Sequence, residues 1–152
     1  MAGIQEPGFE GRVLAVDYGE KRIGLAISDP SRTIASPAGF IERRAGKRPP
    51  IAEIIRRAEA NDACAFVLGL PLDDQGDESP RSLEVRGVGA ELERRTGFPV
   101  SFVDERYTTA AALRAVREMG GTTHGRKGDV DALAATILLQ HALRLAEQRP
   151  TD

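Results

Sequence analysis

The chain has 152 residues and a formal net charge of −2 at pH 7, with 41% of its residues hydrophobic and 29% charged. These values fit one globular domain with a sizeable core and exclude the strongly basic field of many nucleic-acid-binding domains. A single cysteine, Cys64, excludes an intramolecular disulfide and argues against a zinc site. No apolar run is long enough to span a membrane and the N-terminus lacks a signal-peptide pattern, so we expect a cytoplasmic protein with no membrane contact.

Residues 1–11 show no pattern, and we expect this tail to fray. The first patterned stretch is Val13–Ser28, which predicts a β-hairpin. Val13–Val16 is continuously apolar, as in a strand covered on both faces, and it leads into Asp17. A carboxylate at the end of a buried strand needs a cation or hydrogen-bond donors, because burying it alone is costly. The hairpin by itself leaves open whether Asp17 is a functional group or only caps the turn and pairs with Lys21 or Arg22.

The second strand of this hairpin has one bulky and one small face. The small residues are Gly24, Ala26 and Ser28, at every second position, and such a face lets a helix backbone approach closely. The next stretch, Thr33–Ile41, predicts a third strand. Because proline cannot donate to a β-ladder, Pro37 places this strand at a sheet edge or breaks it.

A helix and a second buried strand follow. Glu42–Pro50 is a basic linker, for which a solvated loop is favoured over a phosphate-binding segment. Apolar residues spaced i, i+3, i+4, i+7 from Ile51 predict a helix to about Ala60. Cys64–Leu70 is continuously apolar, and its place after a strand and a helix indicates parallel pairing. Leu70–Pro80 is expected to be an open loop beside the end of that strand.

The next helix is predicted over Arg81–Thr96. Its apolar residues include Leu83, Val88 and Leu92, and Arg94 and Arg95 lie at its end. Gly97 is expected to end it.

The last third of the chain predicts a short interior strand over Pro99–Val103 that runs into acidic residues. A helix is expected over Thr109–Met119, and a flexible loop over Gly120–Gly128. In that loop a solvated His124 is favoured over a proton-shuttling one. The final helix, from Val130 to about Glu147, is apolar nearly all round and is expected to be buried.

Three acids occupy comparable places in these elements. Asp17 ends the first strand, Glu105 ends a later strand, and Asp131 opens the final helix. Alanines of that helix packed on the small face of the hairpin would bring Asp131 towards Asp17. Carboxylates brought together repel unless cations lie between them, and oxygen ligands without His or Cys favour Mg²⁺ or Mn²⁺.

Local alternatives remain open for each acid. Asp131 fits a first-turn acid that interacts with the helix dipole, and Asp129 fits an N-cap. Glu105 fits an ion pair with Arg106.

Four motifs carry a resemblance to a known family. They are Asp17–Asp29 (DYGEKRIGLAISD), Leu68–Pro71 (LGLP), Asp104–Thr109 (DERYTT) and Lys127–Ala135 (KGDVDALAA). In this order and spacing the chain resembles, over nearly its whole length, the YqgF family, also described as RuvX, Holliday junction resolvases and pre-16S rRNA nucleases. The resemblance implies an α/β, RNase H-like fold in a single nuclease domain over residues 1–152. Its mixed five-stranded sheet would have three antiparallel strands followed by parallel strands, flanked by helices.

The resemblance also implies a metal-dependent nuclease site that uses Mg²⁺ or Mn²⁺. By matching positions, Asp17, Glu105 and Asp131 are the implied catalytic and metal-binding acids. The family pattern requires no acid at Asp129, which is left as a candidate extra ligand. The hypothesis is hydrolysis of a phosphodiester by water, with two metals roughly 3.5–4 Å apart that activate the water and stabilise the leaving 3′ oxygen.

Three cations next to these acids are candidates to bind substrate phosphates: Lys21, Arg22 and Arg106. The loops Leu70–Pro80 and Gly120–Gly128 are expected to shape the substrate channel.

The predicted function is cleavage of structured nucleic acid, first of all at the 5′ end of precursor 16S rRNA, with ribosomal particles as candidate partners. One alternative is resolution of branched DNA, which would call for a symmetric homodimer. Another is a non-catalytic RNA-binding factor for ribosome assembly. A third, nucleotide binding as in actin-like ATPases and sugar kinases, uses a similar hairpin but a duplicated core, and this chain has no repeat. Nothing in the sequence separates RNA from DNA as substrate.

Overall fold

The structure, a computed structural model, describes residues 11–44, 47–106, 108, 109, 113 and 127–147. The predicted N-terminal tail up to residue 10, most of the predicted helix Thr109–Met119 and nearly all of the predicted loop Gly120–Gly128 lie outside these residues. In chain order the described elements are β1 (Arg12–Tyr18), β2 (Arg22–Ser28), β3 (Ala35–Glu42), α1 (Ile51–Ala60), β4 (Ala63–Leu70), α2 (Pro80–Thr96), β5 (Val100–Asp104) and α3 (Lys127–Glu147). Within this described part, no helix has both the length and the apolar character needed to cross a membrane.

The strands form one sheet in the order β3-β2-β1-β4-β5. β1 pairs antiparallel with β2, and β2 pairs antiparallel with β3. β1 with β4, and β4 with β5, run parallel. The predicted mixed sheet is therefore confirmed. β1 is central, and its residues from Val13 to Tyr18 are all buried, as a continuous apolar run predicts.

Helices cover both faces of the sheet, so alternate residues of β1 belong to different cores. On one face, Leu14 and Val16 lie in a buried cluster with Ile54 of α1 and Leu92 of α2. These side chains are large, and they fill the space between the sheet and two helices. The predicted apolar stripe of α1 thus faces the core.

The other face is built from small residues. Ala15 of β1 and Ala26 of β2 lie in a second buried cluster with Ala134 and Ala135 of α3. With methyl groups between them, the helix and the strands approach each other closely. The predicted packing of the final helix on the small face of the hairpin is confirmed.

The two edge strands differ in how well the sequence predicts them. β3 lies at an edge, as Pro37 indicates, and its pairing register with β2 shifts in that stretch. The prediction of an interior strand at Pro99–Val103 is wrong, because β5 forms the other edge of the sheet. The burial of β5 fits an edge strand, since Val103 alone is buried and the other four residues are half-buried.

The ends of α2 are well defined. At its N-terminus the Ser79 hydroxyl accepts a 3.1 Å hydrogen bond from the Ser82 amide, and the Ser82 hydroxyl accepts one of 2.7 Å from the Ser79 amide. Gly97 ends the helix with a φ of 75°, as predicted. Leu83 lies on the outer side of this helix, because it is 59% exposed while Val85 is 1% exposed. At about 100° per residue these two positions lie on opposite sides of the helix.

The helix α3 begins at Lys127, earlier than the predicted start at Val130. Asp129 therefore lies inside the helix and is not its N-cap, and Asp131 lies beyond the first turn. Both local alternatives for these acids are wrong, because the helical backbone continues one turn further towards the N-terminus. Leu133 is 46% exposed, so only the face of α3 towards the sheet is buried.

Replacing Leu92 by alanine is expected to lower the free energy of unfolding by about 2–5 kcal/mol, because this fully buried side chain fills the core below α2. Leu83→Ala, on the exposed side of the same helix, is the matched control and is expected to change it by less than about 0.5 kcal/mol. Urea unfolding followed by circular dichroism measures both. Equal losses in the two variants would contradict this orientation of α2.

Candidate active site

Asp17 lies near the C-terminal end of β1 on the face that packs against α3. Alternate side chains of a strand share a face, so Asp17 points the same way as Val13 and Ala15, which pack in the α3 cluster. Only 1% of Asp17 is exposed. The carboxyl ends of β1 and β4 lie at the same end of the sheet because these strands are parallel. A buried acid there needs charge compensation from neighbouring elements.

Asp131 reaches this face because α3 packs directly on β2 at Gly24. Gly24 pairs with Asp17 in the β1–β2 ladder. A Cβ built on Gly24 would lie 2.0 Å from the backbone oxygen of Asp131, so no larger residue leaves room for this contact. Asp131 is fully buried, and its Oδ2 accepts a 2.8 Å hydrogen bond from Nε of Arg22.

Glu105 follows β5 directly and reaches the same face over another glycine. Its Oε2 lies 2.8 Å from the position that a Cβ on Gly69 would occupy, and a side chain of α3 contacts the same position. The parallel pairing of Val16 with Leu68 places Gly69 level with Asp17 on the neighbouring strand. Glu105 is 4% exposed. Both glycines therefore leave space on the α3 side of the sheet, which the backbone of Asp131 takes up above Gly24 and the carboxylate of Glu105 above Gly69.

Gly24, Asp17 and Gly69 form a row across β2, β1 and β4, with Asp131 packed at one end and Glu105 at the other. Neighbouring strands lie about 4.8 Å apart, so this row spans about 10 Å. The structure thus places the three predicted acids on one face, at one end of the sheet. In the described part of the chain, no group of three or more His, Cys, Asp or Glu side chains has the arrangement of a metal site. Joint metal binding by the three acids stays a prediction.

Two of the predicted phosphate-binding cations lie at the β1–β2 turn. Lys21 is exposed there. Arg22 is largely buried, with 18% of its side chain exposed, and forms the ion pair with Asp131. A buried carboxylate is stabilised strongly by such a partner, so Arg22 balances the charge of Asp131 and limits how it rotates. Lys21 is the more accessible cation for a substrate.

The third predicted cation, Arg106, connects β5 to the loop that follows β4. Its Nη2 lies 2.7 Å from Oδ2 of Asp104, and its hydrogen bonds lower the pKa of the Asp104 carboxyl. Its Nη1 donates to the backbone oxygens of Asp73 and Asp74 at 3.4 and 3.3 Å. Arg106 therefore has a structural task, which is to hold the predicted loop Leu70–Pro80 beside the acids.

Sequence reasoning missed two arginines that bind the β1–β2 turn. The guanidinium carbon of Arg43 lies 4.4 Å from the ring centroid of Tyr18, and its Nη1 donates to the backbone oxygen of Gly19 at 2.8 Å. Arg81 of α2 donates to the backbone oxygen of Tyr18 at 3.4 Å and lies 3.7 Å from Glu20. The only sequence signal for Arg43 is its place in the basic linker, and Arg81 has none, because both contacts form between segments that are distant in the chain.

Parts of the predicted site lie outside the described residues. They are His124 with most of its loop, and the side chains of Lys127 and Asp129. A proton-shuttling role of His124 and an extra ligand at Asp129 therefore stay predictions.

Comparison with known sequences places this site in a family context. The sequence profile of a family described as "RuvX: Holliday junction resolvase" matches residues 11–145. A protein of Maridesulfovibrio salexigens, named "Putative pre-16S rRNA nuclease", is 39% identical over 131 residues, which cover 85% of this chain and 95% of that protein. A protein of the same name from Acidiphilium cryptum is 40% identical over 143 residues, covering 93% and 89% of the two chains.

Comparison with solved structures identifies the fold. RuvC of T. thermophilus, in complex with a Holliday junction substrate, is similar with a TM-score of 0.54 and 15% sequence identity. The likeness covers 90% of this chain and 96% of the RuvC chain. A second structure of Thermus thermophilus RuvC gives a TM-score of 0.52. The predicted RNase H-like fold is confirmed.

Replacing Gly24 by alanine is expected to lower the free energy of unfolding by about 1–3 kcal/mol or more, because its methyl group would overlap the backbone of α3 at Asp131. Gly87→Ala is the matched control, since a Cβ there meets nothing within 4 Å, and it is expected to stabilise α2 by about 0.5–1 kcal/mol. Thermal and urea unfolding measure both variants. A Gly24→Ala protein as stable as wild type would mean that α3 does not pack here.

Proposed function

The chain belongs to the RuvX family of nucleases, enzymes that hydrolyse phosphodiester bonds, and we propose that Asp17, Glu105 and Asp131 are its catalytic acids and that it cleaves precursor 16S rRNA at the 5′ end. The observation that carries this proposal is the burial of three carboxylates on one face, at the carboxyl end of β1 and β4. Proteins rarely bury three acids together unless they have a use for the charge. Structural neighbours at 15% identity support the fold but do not identify the substrate.

The donor set of the site fits Mg²⁺ or Mn²⁺. Asp17, Glu105 and Asp131 offer only carboxylate oxygens, which hard divalent cations prefer. The spaces above Gly24 and Gly69 let two of these acids approach the sheet on either side of Asp17. When bound, a divalent cation would supply Lewis acidity that lowers the pKa of the attacking water and offsets the charge on the scissile phosphate.

The protein's own residues have the tasks of position and charge balance. Arg22 holds one oxygen of Asp131 at 2.8 Å, so this carboxylate keeps its orientation. Arg106 holds the loop after β4 in place, at the rim of the site. Lys21, exposed at the rim, is the proposed contact to a substrate phosphate, and Arg22 and Arg106 contribute positive potential to the same edge. Hydrolysis then adds water across the P–O3′ bond and leaves a 5′ phosphate and a 3′ hydroxyl.

Precursor rRNA is favoured as substrate because the curated relatives at 39% and 40% identity carry that substrate in their names. The description of the family profile favours a second candidate, the four-way DNA junction. Cleavage of rRNA precursors would take place in the cytoplasm, on ribosomal particles. A homodimer is required only by the second candidate, since the two cuts of a symmetric junction call for two sites.

Asp17→Asn is expected to lower kcat/KM for cleavage by about 10²-fold or more, because it removes a charged ligand from the centre of the site. The test compares a pre-16S 5′-leader RNA with a four-way DNA junction, each with Mg²⁺, with Mn²⁺ and with EDTA. Asp62→Asn is the matched control, because Asp62 is an exposed aspartate before β4 with a φ of 56°, which asparagine tolerates well.

The outcomes of this experiment separate the alternatives. Cleavage of the leader RNA that requires a divalent ion and Asp17 supports the proposal, and cleavage of the junction alone favours the second candidate. Binding of RNA without any cleavage, unchanged by Asp17→Asn, would support a non-catalytic assembly factor and reject the catalytic role.

Metal binding itself has a readout that does not depend on cleavage. A ligand that binds only the folded state stabilises it by about 2.7 kcal/mol at a concentration of 100 times its Kd. Mg²⁺ or Mn²⁺ is therefore expected to raise the Tm of the wild-type protein and of Asp62→Asn, but not of Asp17→Asn. An equal shift in all three proteins would show that the ion binds elsewhere.

A further inference from the structure

The segment between β3 and α1 forms a second positively charged surface, at the end of the sheet where Arg22 and the acids lie. A cleft at this place is lined by Glu42, Arg43, Arg44, Lys47, Arg48 and Pro50. Four of these six residues are cations and one is an acid. The backbone amide of Lys47 donates to the carbonyl of Arg44 at 3.1 Å, so these two cations lie close together at one cleft.

Arg43 fixes the start of this segment on the hairpin that carries Asp17. Its backbone amide donates to the carbonyl of Lys21 at 2.8 Å, and its Nη1 donates to that of Gly19 at 2.8 Å. Its guanidinium also lies over the ring of Tyr18 and is only 13% exposed. Arg43 is thus a structural residue, and its contacts hold the cleft at the turn between β1 and β2.

The three cations beyond Arg43 point outward. Arg44, Lys47 and Arg48 are exposed. None of the ion pairs found in the described part of the chain involves them, whereas Arg56, Arg94 and Arg95 on the helices each pair with a glutamate. Three clustered like charges repel one another, and an anion would relieve this repulsion.

The cleft lies at the same end of the sheet as the acids, beside the start of α1. Arg22 and Glu42 are opposite each other in the β2–β3 ladder, so this segment leaves the sheet about 5 Å from Arg22. The side chain of Arg22 in turn binds Asp131. The acids lie on the α3 face and the cleft lies beside the start of α1, so a nucleic acid bound at both would pass around this end of the sheet, past the turn between β1 and β2.

We propose that Arg44, Lys47 and Arg48 bind the sugar-phosphate backbone of the nucleic acid next to the cleaved bond. The ligand class follows from the chemistry: guanidinium and ammonium groups around an open, exposed cleft suit repeated phosphates, and they read no base sequence. Glu42 is negatively charged, so it would limit how closely a phosphate approaches its side of the cleft. This surface gives an acidic protein, of net charge −2, a local site for a polyanion. The inference builds on the proposed nuclease function and revises the expectation of a merely solvated loop at Glu42–Pro50.

The test is the triple variant Arg44→Gln, Lys47→Gln, Arg48→Gln, compared with Arg56→Gln, Arg94→Gln, Arg95→Gln, which removes the same charge from the exposed sides of α1 and α2. Binding of a fluorescein-labelled pre-16S leader RNA and of a four-way DNA junction is measured by anisotropy in EDTA, over about 50 to 200 mM salt.

The cleft variant is expected to bind both probes at least about tenfold more weakly. Its slope of log K against log salt should be shallower by about 2–3, because each lost phosphate contact contributes about 0.7–0.9. The control variant should keep the wild-type slope.

Cleavage kinetics and a small anion complete the experiment. The cleft variant is expected to raise KM while kcat at saturation stays within about twofold, because its residues do not touch the reacting phosphate. Wild-type affinity and salt slope in the cleft variant, or an equal loss in the control variant, would overturn the inference. Saturable binding of inorganic phosphate that the cleft variant loses would also overturn it, in favour of a small-anion site. Loss of cleavage on Asp17→Asn tests the proposed function separately, since these binding measurements need no cleavage.

Discussion

The contact between the backbone of α3 and Gly24 of β2 is the constraint on which the site depends. The absence of a side chain at Gly24 brings the backbone of Asp131 against the sheet, level with Asp17 on the next strand. Alanines on both partners, such as Ala26 and Ala134, continue the close approach along the helix. The same small residues that let α3 pack tightly therefore also decide where its carboxylate lies.

A close-packed face that contains three acids needs positive charge at its border, and the structure provides it from several segments. Arg22 binds Asp131 directly, while Arg106 binds Asp104 and holds the loop after β4. Arg43 and Arg81 bind the turn between β1 and β2 through its carbonyl groups. Most of these arginines thus stabilise the rim, and exposed cations such as Lys21 are left to meet a substrate.

The division between buried and exposed cations gives the edge of the sheet its chemical character. The largely buried arginines lose side-chain conformational entropy when the protein folds, and they then fix the loops around the acids. The cations beyond Arg43 stay exposed, so they can exchange solvent for phosphate. The proposed polyanion surface and the proposed reaction centre thus use different residues, on a chain whose overall charge is slightly negative.

The sequence by itself determined the β-hairpin, the parallel β4, the edge position of β3 and the position of three acids near element ends, because strand patterns, proline and glycine act locally and the motifs lie at element ends. It did not determine the inward side of α2, where Leu83 and Val85 are equally apolar and only the core selects one of them. It also missed the edge position of β5 and the earlier start of α3, which depend on what packs beside them. Only the tertiary structure placed Arg43 on the hairpin turn and Arg106 on the loop after β4. A guanidinium on a long side chain can choose among many partners, and those it binds here lie far apart from it in the chain until folding brings them within reach.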